Sequence, residues 1–245
     1  MGPFLRFNAA IVYLLVAGII RRPRIKLGPI CEQMVRIGVD AMPMASLTAF
    51  SIGLTLAMQA AHSLRDMGAT VYVPDLVAVS LLRELGPLIV AIIVIGRSGS
   101  AVTAELGTMK VGEEIEALEV MAVNPMRYLI LPRFLAMLMM LPVLTVFGNY
   151  VGMAGGWLIG VYSLNFQSSA FISRLVEAVE LRDLYSGMLK SVVFAWLIIT
   201  IACYEGLAVS GGAEGVGRAT TGSVVYSLLA VLVANAILTA LFFFF

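Results

Sequence analysis

Four stretches of this chain are long and apolar enough to cross a bilayer, and that fixes its solvent before any motif is considered. They run from Ala41 to Ala61, Phe134 to Leu158, Met188 to Val209 and Val224 to Phe245. Each meets the roughly 20 residues that a helix needs to span the hydrocarbon core. Lipid offers no hydrogen-bond partners to the backbone, so each stretch is expected to be a continuous helix. Composition agrees: 60% of residues are hydrophobic, 13% are charged and the mean hydropathy is +0.98. A soluble domain is roughly half apolar and a quarter charged. The net charge of +1 comes with no basic stripe to neutralise a series of phosphates, which excludes a nucleic-acid partner.

A fifth span, from Asp75 to about residue 96, is long enough but carries Arg83-Glu84-Leu85-Gly86-Pro87 near its middle. The earlier apolar run from Phe7 to Ile20 is shorter than a span. Arg21-Arg22-Pro23-Arg24 follows it where a signal peptide would have a small-residue cleavage site. It is therefore read as a helix lying in the interface, within a helical region of residues 4–38. The expectation is an all-α, polytopic membrane protein with five transmembrane helices, at about 41–61, 75–96, 134–158, 188–209 and 224–245. With no internal repeat, residues 1–245 form a single domain.

Basic residues orient the spans. Arg21, Arg22, Arg24, Lys26 and Arg36 precede the first span and only Arg65 soon follows it, which places the amino terminus in the cytoplasm. Alternation then puts Arg97, Lys110, Arg127, Arg133 and Arg218 on the cytoplasmic side, and Arg65, Arg174, Arg182 and Lys190 on the other. The carboxyl terminus ends at the outer face. Between spans three and four, at about 166–182, Phe166, Phe171, Ile172, Leu175, Val176 and Val179 recur at helical spacing, with charges between them. This reads as a short amphipathic helix on the outer surface.

Three constellations stand out. Arg83 and Glu84 are ionisable groups inside a span, which are costly and usually face a cavity, a polar path or each other. Gly86-Pro87 weakens the helix beside them, tolerable only against protein or water. Two readings are open: a structural ion pair to a neighbouring span, or the lining of a substrate cavity. Successive helical residues point about 100° apart, so the two need not pair with one another.

In the loop before the third span, Glu113, Glu114, Glu116 and Glu119 surround a face of Ile115, Leu118, Met121 and Ala122. They form an acidic amphipathic helix over 112–122. Its stripe suits the groove of a partner, or rests on the protein's own span ends. In span three, Gly148, Gly152, Gly156 and Gly160 make a small-residue ridge for close helix approach, either an internal seam or a dimer seam.

Other chemistry is missing. No G-x-x-x-x-G-K-[ST] occurs, so the chain does not hold ATP in the P-loop manner. His62 is the one histidine and Cys31 and Cys203 the two cysteines. They build no metal site, no disulfide framework and no nucleophilic triad, and are read as structural.

The motifs Leu81-Leu82-Arg83-Glu84-Leu85-Gly86-Pro87, Gly96-Arg97-Ser98-Gly99-Ser100-Ala101-Val102-Thr103-Ala104-Glu105-Leu106-Gly107 and Glu119-Val120-Met121-Ala122-Val123-Asn124-Pro125 occur in order, with Pro132-Arg133 and Arg218-Ala219-Thr220-Thr221. Together they resemble the MlaE (YrbE) permease family over about Met34 to Phe245. The resemblance implies a non-catalytic membrane subunit of an ABC system moving phospholipid between the inner and outer membranes of Gram-negative bacteria. It implies a homodimer in the inner membrane with two cytoplasmic ATPase subunits that hold ATP and magnesium, a periplasmic hexamer of MCE-domain protein, and a small STAS-type accessory protein. No cofactor is implied for this chain itself.

The same resemblance makes 112–122 a coupling helix docked on the ATPase, with Glu113, Glu114, Ile115, Glu116, Leu118, Glu119 and Met121 as its contact residues, and the 166–182 helix periplasmic. It sets Arg83 and Glu84 at the lipid cavity, with Leu56, Val77, Leu81 and Leu88 as wall residues. Lys190, at the outer start of span four, is either a phosphate contact or an interfacial anchor. Apart from the resemblance, a charged pair at a broken helix also suits a secondary transporter or channel.

Overall fold

A computed structural model describes residues 2–20 and 27–244, and among these every regular element is helical. The helices are α1 (Gly2–Ile20), α2 (Leu27–Ile37), α3 (Met42–Arg65), α4 (Val73–Ser80), α5 (Gly86–Val94), α6 (Ser100–Val111), α7 (Glu114–Val120), α8 (Leu131–Tyr162), α9 (Ser168–Glu177), α10 (Leu181–Leu207) and α11 (Gly212–Phe244). Wider π-helical turns at Leu81–Leu85, Ile95–Gly99 and Met126–Ile130 lie between α4 and α5, α5 and α6, and ahead of α8. Among the described residues, five helical runs are long and apolar enough to cross a membrane: Leu27–Arg65, Thr70–Val111, Met126–Tyr162, Leu181–Leu207 and Gly212–Phe244. The basic cluster at Arg21, Arg22, Arg24 and Lys26 lies outside the described residues.

The second run extends well past residue 96, the expected end of the span, through the polar stretch Gly96-Arg97-Ser98-Gly99-Ser100. Ser100 Oγ donates to Gly96 O at 2.5 Å, inside the π turn, and Ser98 Oγ donates to Ile37 O at 2.8 Å, which ties the run to the end of α2. Backbone groups loosened by the π turn thus keep partners.

The chain divides into two compact units. The first comprises Met1–Ala41, Val94–Met140 and Phe194–Val233. Within it α1 lies against α10: Phe4 and Phe7 meet Tyr204 edge-on at 5.3 and 5.8 Å, and Trp196 Nε1 donates to Asn8 Oδ1 at 3.1 Å. Trp196 also stacks edge-to-face on Phe134 at 4.8 Å, an arrangement that aromatic quadrupoles favour. Thr103 Oγ1 lies 3.1 Å from Ala202 O and 2.8 Å from Ser223 Oγ, tying α6 to α10 and α11. Glu105 meets Arg36 at 3.5 Å and the buried Arg133 at 3.0 Å, joining α2 and α8 to α6.

The second unit comprises Met42–Ile93, Leu141–Val193 and Ala234–Phe245. Its organising feature is the glycine ridge of α8. A Cβ on Gly148 would meet Val90 at 3.0 Å, on Gly152 Leu81 at 3.1 Å, on Gly156 Val77 at 2.8 Å and on Gly160 Phe171 at 2.3 Å. The ridge therefore seats side chains from both halves of the broken span and from α9. Backbones approach more closely still beside it: a Cβ on Gly53 would stand 1.8 Å from Gly152 O, and one on Gly155 2.3 Å from Phe50 O. Phe171 is fully buried and Trp157 Nε1 donates to Ser168 Oγ at 3.1 Å, which fixes α9 to α8. The amphipathic helix α9 is shorter than the 166–182 pattern, because the last residues of that pattern already belong to α10.

Candidate functional site

The Gly86-Pro87 break explains the site around it. Within Leu81–Leu85 the helix widens, and the Gly86 N–H reaches back five residues to Leu81 O. Pro87 has no N–H, so the carbonyl four residues earlier, that of Arg83, loses its helical partner. Lys190 Nζ, on α10, donates to that oxygen at 3.1 Å. Gly187, one turn earlier on α10, has no side chain, and a Cβ there would stand 2.1 Å from Leu82 O. The break thus dictates a glycine and a lysine on the opposing helix.

Lys190 is 1% exposed and its three donors are all used. Besides Arg83 O, they reach Glu84 Oε1 and, at 2.8 Å, Thr239 Oγ1. Glu84 is further held by Thr239 Oγ1 at 2.9 Å and by Asn235 Nδ2 at 3.3 Å. Arg83 turns the other way, and its Nε donates to Asp183, which is 1% exposed. The second Asp183 oxygen accepts the Glu180 N–H at 3.1 Å, closing the amino terminus of α10 from its third residue. The result is a neutral set of two cations and two anions in which the inner members, Lys190 and Asp183, are buried.

The outer members are not. Arg83 is 46% exposed and Glu84 36%, and both line a hollow of about 200 Å³ with Arg182, Ser186, Lys190, Thr239, Phe242 and Phe243. Arg182 there donates to Phe242 O at 2.8 Å.

The wall residues fall differently. Val77 and Leu81 are buried in the core around Ala57 and Met153, seated on Gly156 and Gly152, and so are not the walls of an open cavity. The glycine ridge draws them inward. Leu56 packs half-buried against the same core, and Leu88 is half-buried. Lys190 is no exposed interfacial anchor, because Pro87 leaves an acceptor for its ammonium within the protein. Asp183, Thr239 and Asn235 did not emerge from the sequence, and Arg182 was read only as one of the charges that orient the spans. The signal available was Asn235 and Thr239, two polar groups four residues apart in the otherwise apolar stretch from Leu228 to Phe245.

The acidic helix is α7, bounded by Glu113 and Ala122, both left-handed at φ 58°. Ala122 N–H meets Glu119 O and Val123 N–H meets Leu118 O, both at 2.9 Å. That is a Schellman closure with alanine where glycine is usual. The helix is consequently shorter than 112–122, and its stripe is split. Ile115 is buried and Leu118 half-buried, whereas Met121, past the last turn, and Val120, at 88%, are exposed. Glu113, Glu114 and Glu119 are exposed. Glu116 pairs with Lys110 of α6, and that hydrogen bond holds its carboxyl below the usual glutamate range. Ile115, Glu119, Asn124, Pro125 and Leu207 line a hollow of about 460 Å³ beside α7.

The family model described as Permease MlaE matches residues 30–241. The chain belongs to the MlaE permease family. The family includes the intermembrane phospholipid transport system permease protein MlaE of Haemophilus influenzae, 38% identical to this chain over 234 residues, covering 94% of this chain and 90% of that protein. A probable ABC transporter permease of Rickettsia typhi is 38% identical over 231 residues, covering 94% and 89%. One from Synechocystis is 40% identical over 214 residues, covering 86% and 81%. Both polar features described above, the break at Arg83 to Pro87 and α7, lie inside the MlaE match.

Proposed function

We propose that this MlaE-family permease is the membrane subunit of an ABC system that moves phospholipid between two membranes, with ATP and magnesium bound by a partner chain. The observation that carries this is the half-exposed Arg83 and Glu84 above a buried pair. Arg83 offers a cation to a phosphate and Glu84 an anion to a headgroup amine, while Asp183 and Lys190 hold both in place. The name of the Haemophilus relative supports phospholipid as cargo.

In this reading α7 meets the ATPase through its exposed glutamates and through Val120 and Met121, since Ile115 is already taken by the chain itself. The Lys110–Glu116 pair ties α7 to α6, which gives a push on α7 a route to α6. Two copies of the permease, two ATPases, a periplasmic MCE hexamer and a STAS-type protein complete the assembly. It sits in the inner membrane with the amino terminus cytoplasmic and the carboxyl terminus periplasmic.

The test is lipid transfer by the reconstituted complex. Arg83→Ala and Glu84→Ala should each depress transfer while the complex still assembles, and unaltered transfer in both would reduce the cluster to scaffolding. Val120→Asp with Met121→Asp should release the ATPase on a pull-down. Undiminished association would remove α7 from the interface.

A further inference from the structure

The four groups at the break balance one another in charge, Arg83 against Asp183 and Lys190 against Glu84. Arg182 is the cation left over. It lines the same hollow, it is exposed, and among the described residues no carboxylate pairs with it. Its Nη2 donates to Phe242 O at 2.8 Å, in the last turn of α11. That bond closes the end of a helix, and it leaves Nε and Nη1 of the guanidinium without a partner among the described residues. The remaining lining residues, Ser186, Thr239, Phe242 and Phe243, carry no charge. The positive start of α10 and the negative end of α11 both border the hollow, so their end charges offset and the side chains set its sign.

The unused hydrogen-bonding capacity has the same sign. Arg83 donates through Nε, and its Nη1 and Nη2 have no partner among the described residues. Glu84, by contrast, takes Lys190 on one oxygen and Asn235 on the other, with the Thr239 hydroxyl against both. A phosphate therefore finds donors on two guanidiniums. An amine meets the charge of Glu84, but no oxygen without a donor, and two guanidiniums of its own sign. The hollow, about 200 Å³, is smaller than the roughly 300–1,000 Å³ of pockets that enclose a whole small molecule, so it suits a headgroup and not an entire lipid. We propose that Arg182 is a specificity-determining residue that, with Arg83, selects phospholipids of net negative charge, such as phosphatidylglycerol, over zwitterionic lipids bearing an amine. The inference rests on the phospholipid reading above and narrows its headgroup: the phosphate contact is the stronger one and the amine contact at Glu84 the weaker.

The test is a competition in the complete transport complex. Donor vesicles hold equal parts of phosphatidylglycerol and phosphatidylethanolamine with identical acyl chains, and the lipids transferred are counted by mass spectrometry. The wild-type complex should transfer about fivefold more phosphatidylglycerol, the upper end for a part-exposed charge contact. Arg182→Gln should make the two lipids nearly equal, chiefly through loss of phosphatidylglycerol. Arg182→Lys keeps the cation and should keep the preference. Arg65→Gln removes an exposed cation at the end of α3 and should leave the ratio unchanged. Equal transfer of both lipids by the wild type would overturn the proposal, as would a preference that survives Arg182→Gln. A preference lost equally in Arg182→Lys would report lost fit and not lost charge, and the same fall in Arg65→Gln would report general surface charge; either result overturns it too. Each of these outcomes leaves the phospholipid reading standing. Transfer of neither lipid by the wild-type complex would overturn that reading itself.

Discussion

Replacing Lys190 with methionine measures how strongly the break in the second span depends on α10. The side chain keeps its volume, but the ammonium and its contacts to Arg83 O, Glu84 and Thr239 disappear. Removing one partner of a buried pair costs about 3–5 kcal/mol. Glu84 is 36% exposed and retains Thr239 and Asn235, which sets the expectation at the lower end, about 3 kcal/mol. That loss has two parts. The stranded carboxylate is one, and Glu84→Gln should relieve it, since glutamine still meets Thr239 and Asn235. The Arg83 carbonyl orphaned by Pro87 is the other, about 1–2 kcal/mol for a buried unsatisfied acceptor. The Lys190→Met, Glu84→Gln double variant should therefore regain roughly half of the loss. Adding Pro87→Ala, which restores an N–H, should return most of the rest. Equilibrium unfolding of the purified permease in mixed micelles, run as a mutant cycle, reads these terms. Stability of Lys190→Met within about 0.5 kcal/mol of wild type, or no rescue by Glu84→Gln, would refute the assignment of Lys190 as the ligand of the break.

Three further perturbations address the rest of the fold. Gly53→Ala places a methyl 1.8 Å from Gly152 O; neither backbone can yield cheaply, so a loss of about 3 kcal/mol or more is expected, read as a fall in melting temperature. Ala122→Gly relieves the left-handed strain at φ 58° and should slow hydrogen exchange in α7, with a gain of about 0.5–1 kcal/mol. Because the Glu116 carboxyl is held down by Lys110, its pairing stabilises the attachment of α7 above the ordinary glutamate pKa. That contribution is lost as pH falls through the depressed folded value. Exchange in α7 should therefore accelerate on acidification below the ordinary glutamate range, and Glu116→Gln should abolish that dependence.

What the sequence made legible is what depends on length and period. Apolar runs of span length became helices because lipid leaves the backbone no other way to bond, and the four-residue glycine spacing of α8 marked a ridge from the pattern alone. What occupies that ridge was not legible, since Val77, Leu81 and Val90 reach it only after the second span has folded back on α8. The partners of the charged pair were hidden for the same reason: Asp183 lies 100 residues from Arg83 and Thr239 155 from Glu84. Nor did propensity reveal the ends of α7. Glutamate and alanine at Glu113 and Ala122 carry no turn signal, and only the surrounding backbone bonds hold them left-handed.

The sequence left Arg83 and Glu84 divided between scaffold and cargo contact, and the geometry makes that division unnecessary. A buried charge must be paired, and an exposed one need not be. Lys190 and Asp183 are buried and committed within the chain, one to the orphaned carbonyl of a proline break and the other to the start of α10. Arg83 is held through Nε and Glu84 through both carboxylate oxygens, yet each stays part-exposed and lines a hollow. A pair built purely for stability would gain from burying all four groups, or from replacing them with apolar residues. Leaving the outer two half-exposed gives up part of that stability and keeps a fixed, charge-balanced surface where an arriving headgroup meets little reorganisation. The structural role thus belongs to the α10 residues and the proposed cargo role to the residues of the break. Variants that exchange the two sets should separate stability from transfer.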